Sequence, residues 1–154
     1  MGIIVESMTK HMQFAEIAAD WIFNEFIKGI KHGITREMVL EKVRYCRDDA
    51  LPMRFAAIMD GKCAGTIYLC ENDLSCRSYT PWLAGLYVDP QYRKMGIGKA
   101  LISHVREQAK KLGFGELYLR TEHASGYYKK LGWEFVERCK DEYRLEPDVF
   151  RIAL

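Results

Sequence analysis

The residues best suited to chemistry form one short string, Arg93-Lys94-Met95-Gly96-Ile97-Gly98-Lys99-Ala100-Leu101, between an apolar run that stops at Val88-Asp89-Pro90 and a segment with helical periodicity. A strand that feeds a glycine loop and then a helix aims successive backbone N–H groups and the positive end of a helix dipole at one spot, which suits an anion such as a phosphate. The glycines permit positive φ or close approach of a ligand, and Arg93, Lys94 and Lys99 add charge. The string is neither the GxxxxGK[ST] of Walker A nor the GxGxxG of dinucleotide-binding folds. Read alone, it serves equally as a glycine-containing strand-to-helix turn with solvated basic residues.

Elements on both sides must position this loop. Ile3 to Val5 reads as a short strand; Thr9 then caps a helix in which Phe14, Ile17, Ala18, Trp21, Ile22 and Phe26 recur at helical spacing. Gly33 and a Thr35 cap start a second helix with Val39, Leu40, Val43 and Cys46 on one face, ending before Pro52. Arg54 to Met59 and Cys63 to Cys70 are apolar, partly β-branched runs joined by Asp60-Gly61, a hairpin signal, and Trp82 to Val88 is a third core strand. From Gly98, the residues Leu101, Val105, Ala109 and Leu112 keep the helical period up to Gly113. Glu116 to Arg120 alternates like a strand, ASGYYKKLG reads as a short helix, Trp133 to Cys139 returns to strand, and Val149 to Leu154 reads as an added edge strand. No repeat or linker divides the series. The expected architecture is a single domain over residues 1–154, of α/β or α+β class, with helices flanking a mixed, mostly antiparallel sheet.

Composition narrows the function classes. The 154 residues are 49% hydrophobic and 29% charged, enough apolar material for a core, so wholesale disorder is excluded. The 23 Lys plus Arg against 21 Asp plus Glu leave a net charge of +2, so any preference for anions must be local and nucleic acid is not an expected partner. Cys46, Cys63, Cys70, Cys76 and Cys139 are odd in number and lack a CxxC pair, which predicts reduced thiols, a cytoplasmic location and no zinc site. Glu6, Glu16 and Asp20 interrupt the N-terminal stretch, and no apolar run of about 18 residues occurs, so neither a signal peptide nor membrane association is expected.

Over the C-terminal half the string LAGLYVDPQYRKMGIGKALISHVREQAKKLGFGELYLRTEHASGYYKKLGWEFVER resembles the GNAT superfamily of N-acetyltransferases. Two linked motifs carry the resemblance: Arg93-x-x-Gly96-x-Gly98 after a strand closing in Val88-Asp89-Pro90, and Tyr127-Tyr128-Lys129-Lys130-Leu131-Gly132-Trp133. The resemblance implies a sheet splayed beside Trp82 to Val88 that holds acetyl-coenzyme A as co-substrate, without a metal. Its pyrophosphate would lie on the backbone amides of roughly Lys94 to Lys99, and the coenzyme as a whole would be bound by Leu86, Tyr87 and Val88 of the strand, by Arg93, Lys94, Met95, Gly96, Ile97, Gly98, Lys99 and Ala100 of the loop, and by Tyr128.

Moving an acetyl group from a thioester to an amine needs a neutral amine, a polarised carbonyl and protonation of the leaving thiolate. A primary alkyl amine, with a pKa of about 10.4, arrives protonated, so a base or a water path must act. Tyr128 matches the family tyrosine that points at the coenzyme sulfur, and a phenol can donate to a thiolate; as an alternative, Tyr127 and Tyr128 form a packing pair. Backbone N–H groups around Leu86 to Val88 are the expected oxyanion donors. The strand Trp82 to Val88 lacks the carboxylate some family members carry there, leaving Glu71, Asp73, Glu25 and His123 as candidate bases. The leading expectation is an acetyl-coenzyme A dependent N-acetyltransferase acting on a small-molecule amine. A protein or peptide N-terminus or lysine is the nearest variant, a non-catalytic acyl-coenzyme A module the other reading, and a homodimer is left open.

Overall fold

The computed structural model describes residues 2–154. Seven strands, β1 (Ile4–Ser7), β2 (Met53–Met59), β3 (Lys62–Cys70), β4 (Trp82–Val88), β5 (Glu116–Thr121), β6 (Glu134–Arg138) and β7 (Asp148–Ala153), form one sheet ordered β1-β2-β3-β4-β5-β7-β6. Every pairing is antiparallel except β4 with β5. Four helices flank it: α1 (Ala15–Ile22), α2 (Arg36–Arg44), α3 (Ile97–Lys111) and α4 (Ser125–Lys130).

Side-chain alternation along β2 assigns the two faces of the sheet. Met53, Phe55 and Ala57 join the core beneath α3, where Ile97, Leu101, Ile102, Val105 and Ala109 form the buried stripe of that helix. Ala56 and Ile58 point the other way, into a second core with Ala15, Ala18 and Ile22 of α1 and Val39 and Val43 of α2. The Asp60-Gly61 turn sets Met59 opposite Lys62, as the hairpin signal predicts.

The first helical segment departs from the expected single helix capped by Thr9. Ser7 caps a 3₁₀ turn over Met8–Lys10, and the Thr9 hydroxyl instead donates to Asp48 at 2.8 Å. A second 3₁₀ turn covers Met12–Phe14, and α1 gives way at Phe23–Ile27 to a π turn closed by Lys28 N–H donating to the Phe23 carbonyl. The extra residue per turn rotates the face that follows and sets Phe26 and Ile27 over the sheet.

Placement of β7 corrects the expectation of an edge strand. It lies between β5 and β6, hydrogen-bonded on both edges, with Val149 and Phe150 fully buried in the cores on opposite faces of the sheet. The exposed edge falls to β6, where Phe135 is half open to solvent.

One irregularity shapes the functional region. Between Tyr87 opposite Thr66 and Ala84 opposite Tyr68, β4 carries one residue more than β3. Gly85 takes up that residue in a left-handed conformation, φ +56°, which a residue with a Cβ adopts only under strain. On the other side of β4 the only register pair with β5 is Trp82 with Tyr118, so the two strands part beyond it. The sheet is splayed there, as expected.

Candidate active site

The loop after β4 has the geometry of an anion cradle. Asp89 caps a 3₁₀ turn over Pro90–Tyr92, and Arg93 folds back so that its Nε donates to the Val88 carbonyl at 2.9 Å. Lys94 at φ +66° and Gly96 at φ +83° turn the chain through left-handed conformations into α3. The first helical hydrogen bond there runs from Ala100 N–H to the Gly96 carbonyl, and Gly96, having no side chain, caps nothing. The N–H groups of Ile97, Gly98 and Lys99 are therefore without helical acceptors at the positive end of a fifteen-residue helix. Lys94, Met95 and Lys99 are exposed, Ala100 is half-buried, and the Ile97 side chain belongs to the core, so its amide alone is offered.

The splay between β4 and β5 opens into a cavity of about 590 Å³ on the α1 and α2 face of the sheet. Its floor includes Leu83 to Leu86 of β4, and Tyr128 reaches it from α4. Tyr87 and Val88 continue toward the loop, with the Tyr87 ring stacked on Trp21 at 5.3 Å and the Arg93 guanidinium 5.5 Å from its centre. Apolar walls come from Ile22, Phe26, Ile27, Ile34 and Val39. This makes the first helical segment one wall of the cavity.

Tyr128 is buried, edge-to-face with Trp133 at 6.0 Å, and burial pushes its phenol up to about 12. It stays protonated, hence a donor, through the neutral range. Tyr127 turns outward on the next position of α4 and lies beside Gly98.

Of the candidate bases, the cavity gathers Glu25, Asp73 and His123; Glu25 and His123 are exposed at its rim. Glu71 is not among its lining residues. It belongs to a separate hollow of about 210 Å³ beside Pro52 and Asn72, because the chain leaving β3 turns and the Glu71 carbonyl accepts from the Thr80 hydroxyl. Asp73 is half-buried, and burial pushes its carboxyl above the usual range against the opposing influence of Arg120, Lys31 and Lys42.

Five further charged residues line the cavity and were not singled out in the sequence: Arg54, Lys31, Lys42, Arg120 and Glu122. Arg54 had a legible signal, a cation inside the apolar run MRFAAIM at the parity of Ala56 and Ile58. Arg120, in contrast, is neutralised by Asp141 at 2.6 Å and Glu122 at 3.0 Å. Among the described residues no group of three or more metal-ligating side chains occurs, and no helix is long and apolar enough to cross a membrane.

Comparison with known proteins converges on one family. A family model described as Acetyltransferase (GNAT) family matches residues 17–133. An N-alpha-acetyltransferase 50 of Danio rerio is 39% identical over 84 residues, which are 51% of this chain and 50% of that protein. The curated relatives are thus matched over half their length or less. Among solved structures, a GNAT-family acetyltransferase from Staphylococcus aureus superposes with a TM-score of 0.73 at 20% identity over 99% of both chains. An aminoglycoside 6'-N-acetyltransferase complexed with coenzyme A superposes with a TM-score of 0.75 at 15% identity, over 97% of this chain and 96% of that one. At these identities the structures speak for the fold, whereas the family model covers most of the chain, including the glycine loop and the tyrosine pair. The chain belongs to the GNAT family of acetyltransferases.

Proposed function

We propose that this protein is an acetyl-coenzyme A dependent N-acetyltransferase that transfers the acetyl group directly to the primary amine of a small molecule. The observation that carries this reading is the continuity of the free amides at the start of α3 with the splayed strand β4 and the 590 Å³ cavity that Tyr128 enters. The pyrophosphate lies on the amides of Ile97 to Lys99, with Lys94 and Lys99 beside it. The acyl end follows β4 past Val88 and Tyr87 to Leu86, where N–H groups without partners on the β5 side polarise the thioester carbonyl.

The acceptor enters the cavity as an ammonium ion and must lose a proton before it attacks. Asp73 is the base in this reading, because it lines the cavity half-buried and burial raises its carboxyl above the usual range. Attack by the neutral amine on the thioester carbon forms the C–N bond and a tetrahedral intermediate. Collapse breaks the C–S bond, and Tyr128 donates to the departing sulfur. Since phenolate is costly at this buried position, the phenol regains a proton from the amine nitrogen as it gives up its own. The products are an N-acetylated amine and free coenzyme thiol.

The match to the Danio rerio N-alpha-acetyltransferase favours a second reading, in which the acceptor is a peptide N-terminus. One experiment addresses both: release of free thiol from acetyl-coenzyme A with a panel of small amines and of short peptides, followed by product mass. Thiol release with small amines and an addition of one acetyl group supports the first reading; activity confined to peptides replaces it with the second.

A further inference from the structure

Of the cations that line the cavity, the buried one has no hydrogen-bond or ion-pair partner among the described residues. Arg54 on β2 is 3% exposed, lines the cavity, and its Nε and Nη1 have no hydrogen-bond partner among the described residues. Its guanidinium lies 4.2 Å from the centre of the Tyr68 ring, and Lys42 Nζ lies 5.5 Å from the same ring. A buried guanidinium with unmet donors is costly to keep, and the nearby aromatic ring satisfies none of its N–H groups. Burial draws its pKa down to about 10, as for a charge without a counter-ion.

Arg54 also stands in register with the reacting strand. It is opposite Tyr68 on β3, and Tyr68 is opposite Ala84 on β4. This row crosses three neighbouring strands on the cavity face, roughly 10 Å from end to end at the usual strand spacing, and ends beside Gly85 where β4 bulges. An anion held by Arg54 is therefore about one small molecule away from an amine held at the splay.

Resting on the acetyltransferase reading above, we propose that the acceptor is a primary amine that also carries a carboxylate, and that Arg54, supported by Lys42, binds that carboxylate through the planar fork of its guanidinium. Arginine matches a carboxylate with two parallel N–H bonds, a geometry that neither a neutral amide nor a hydrocarbon end supplies. Asp73, on the same cavity, receives the ammonium end, so the acceptor lies with its two charges on opposite partners. The apolar wall of Phe26, Ile27 and Ile34 leaves room for an uncharged body between them.

The test pairs amino acids from glycine to phenylalanine with their carboxamides and measures thiol release from acetyl-coenzyme A by the wild type, Arg54→Met and Arg54→Gln. We expect at least one acid to exceed its amide about tenfold or more in kcat/KM, and both variants to abolish that preference while still using the amide. Where any of these amines is acetylated, no acid exceeding its amide, or a preference that survives in both variants, overturns the proposal. Stabilisation by the acids alone, read as a rise in Tm without coenzyme, keeps the two readings apart. Acids that stabilise the wild type and neither variant uphold the carboxylate site even if no amine is acetylated, an outcome that refutes the acetyltransferase reading alone. Acids that stabilise wild type and variants equally, or not at all, overturn the site whatever the enzyme acetylates. Replacing a buried unpaired cation by methionine is expected to leave folding intact, and glutamine keeps a polar group should methionine repack.

Discussion

Tyr127 and Tyr128, adjacent in sequence, have rings edge-to-face at 5.2 Å and point to different sides of α4. Tyr127 is 40% exposed with its hydroxyl 3.5 Å from where a Cβ on Gly98 would stand, whereas Tyr128 is 8% exposed and reaches the cavity. One residue of helix separates a side chain beside the glycine loop from one that enters the cavity.

Tyr128→Phe should therefore keep the ring packing and coenzyme affinity while lowering kcat by about 10² to 10⁴-fold, the usual contribution of a general acid. KM for acetyl-coenzyme A should change little, as for an interaction made mainly in the transition state. Tyr127→Phe should cost far less. Steady-state kinetics of both variants check this; parental kcat in Tyr128→Phe would take the phenol out of the mechanism.

The pH profile should reveal Asp73. A base works when ionised, so kcat/KM should rise with pH through its pKa, and since burial raises that pKa the acid limb should lie above the ordinary carboxylate value of about 3.9. Tyr128, held at about 12, should add no alkaline limb in the accessible range. The sign for stability is the opposite one: a group whose folded pKa is raised loses stability as pH climbs, so Asp73→Asn should remove the acid limb and most of the turnover without lowering Tm at neutral pH.

Gly98 and Gly96 should separate ligand binding from folding. Gly98 has negative φ and its nearest obstacle to a Cβ is 3.5 Å away, so Gly98→Val should fold while its methyl groups occupy the cradle and weaken acetyl-coenzyme A binding by tenfold or more. Gly96 requires φ +83°, so Gly96→Val should lose stability as well as binding. Calorimetric titration and thermal unfolding of the pair provide the comparison.

An ion pair far from the chemistry should govern acid stability. Glu137 on β6 accepts from Arg77 at 2.8 and 2.9 Å and from the Tyr79 hydroxyl, tying the edge strand to the loop after β3. The bonds from Arg77 first, then Tyr79, draw its carboxyl down to about 2 from an unfolded value of about 4.3. Its contribution is complete above about pH 4.3 and lost as pH falls toward 2. Glu137→Gln should lower Tm by several degrees at pH 7 and by much less at pH 2, measured by thermal unfolding across that range.

The thiols should play no covalent part. Burial pushes Cys63 up to about 11 and Cys70 to about 12, so neither supplies a thiolate near neutrality. Cys63→Ala and Cys70→Ala should retain turnover, and initial-rate patterns should be sequential; parallel ping-pong lines would indicate an acyl-enzyme.

Local chemistry made much of this legible from the chain alone. Asp60-Gly61 announces its hairpin, Gly96 and Gly98 announce a turn into α3, and the Leu101, Val105, Ala109 period announces the face that α3 buries, because each depends on residues a few positions apart. The resemblance carried by the Arg93 to Gly98 and Tyr127 to Trp133 motifs anticipated the splay between β4 and β5. What only the tertiary structure decided are relations between residues far apart in sequence. Alternation along a strand states which faces are covered but not which strand lies next to it, so the insertion of β7 between β5 and β6 could not be read from Val149 to Leu154. A carboxylate in a loop carries no address, and long-range packing alone brings Asp73 and His123 into the cavity while leaving Glu71 in another hollow. Arg54 reads as one charge in an apolar strand; its meaning comes from Tyr68 and Ala84, fourteen and thirty positions later, which the sheet aligns with it in one row.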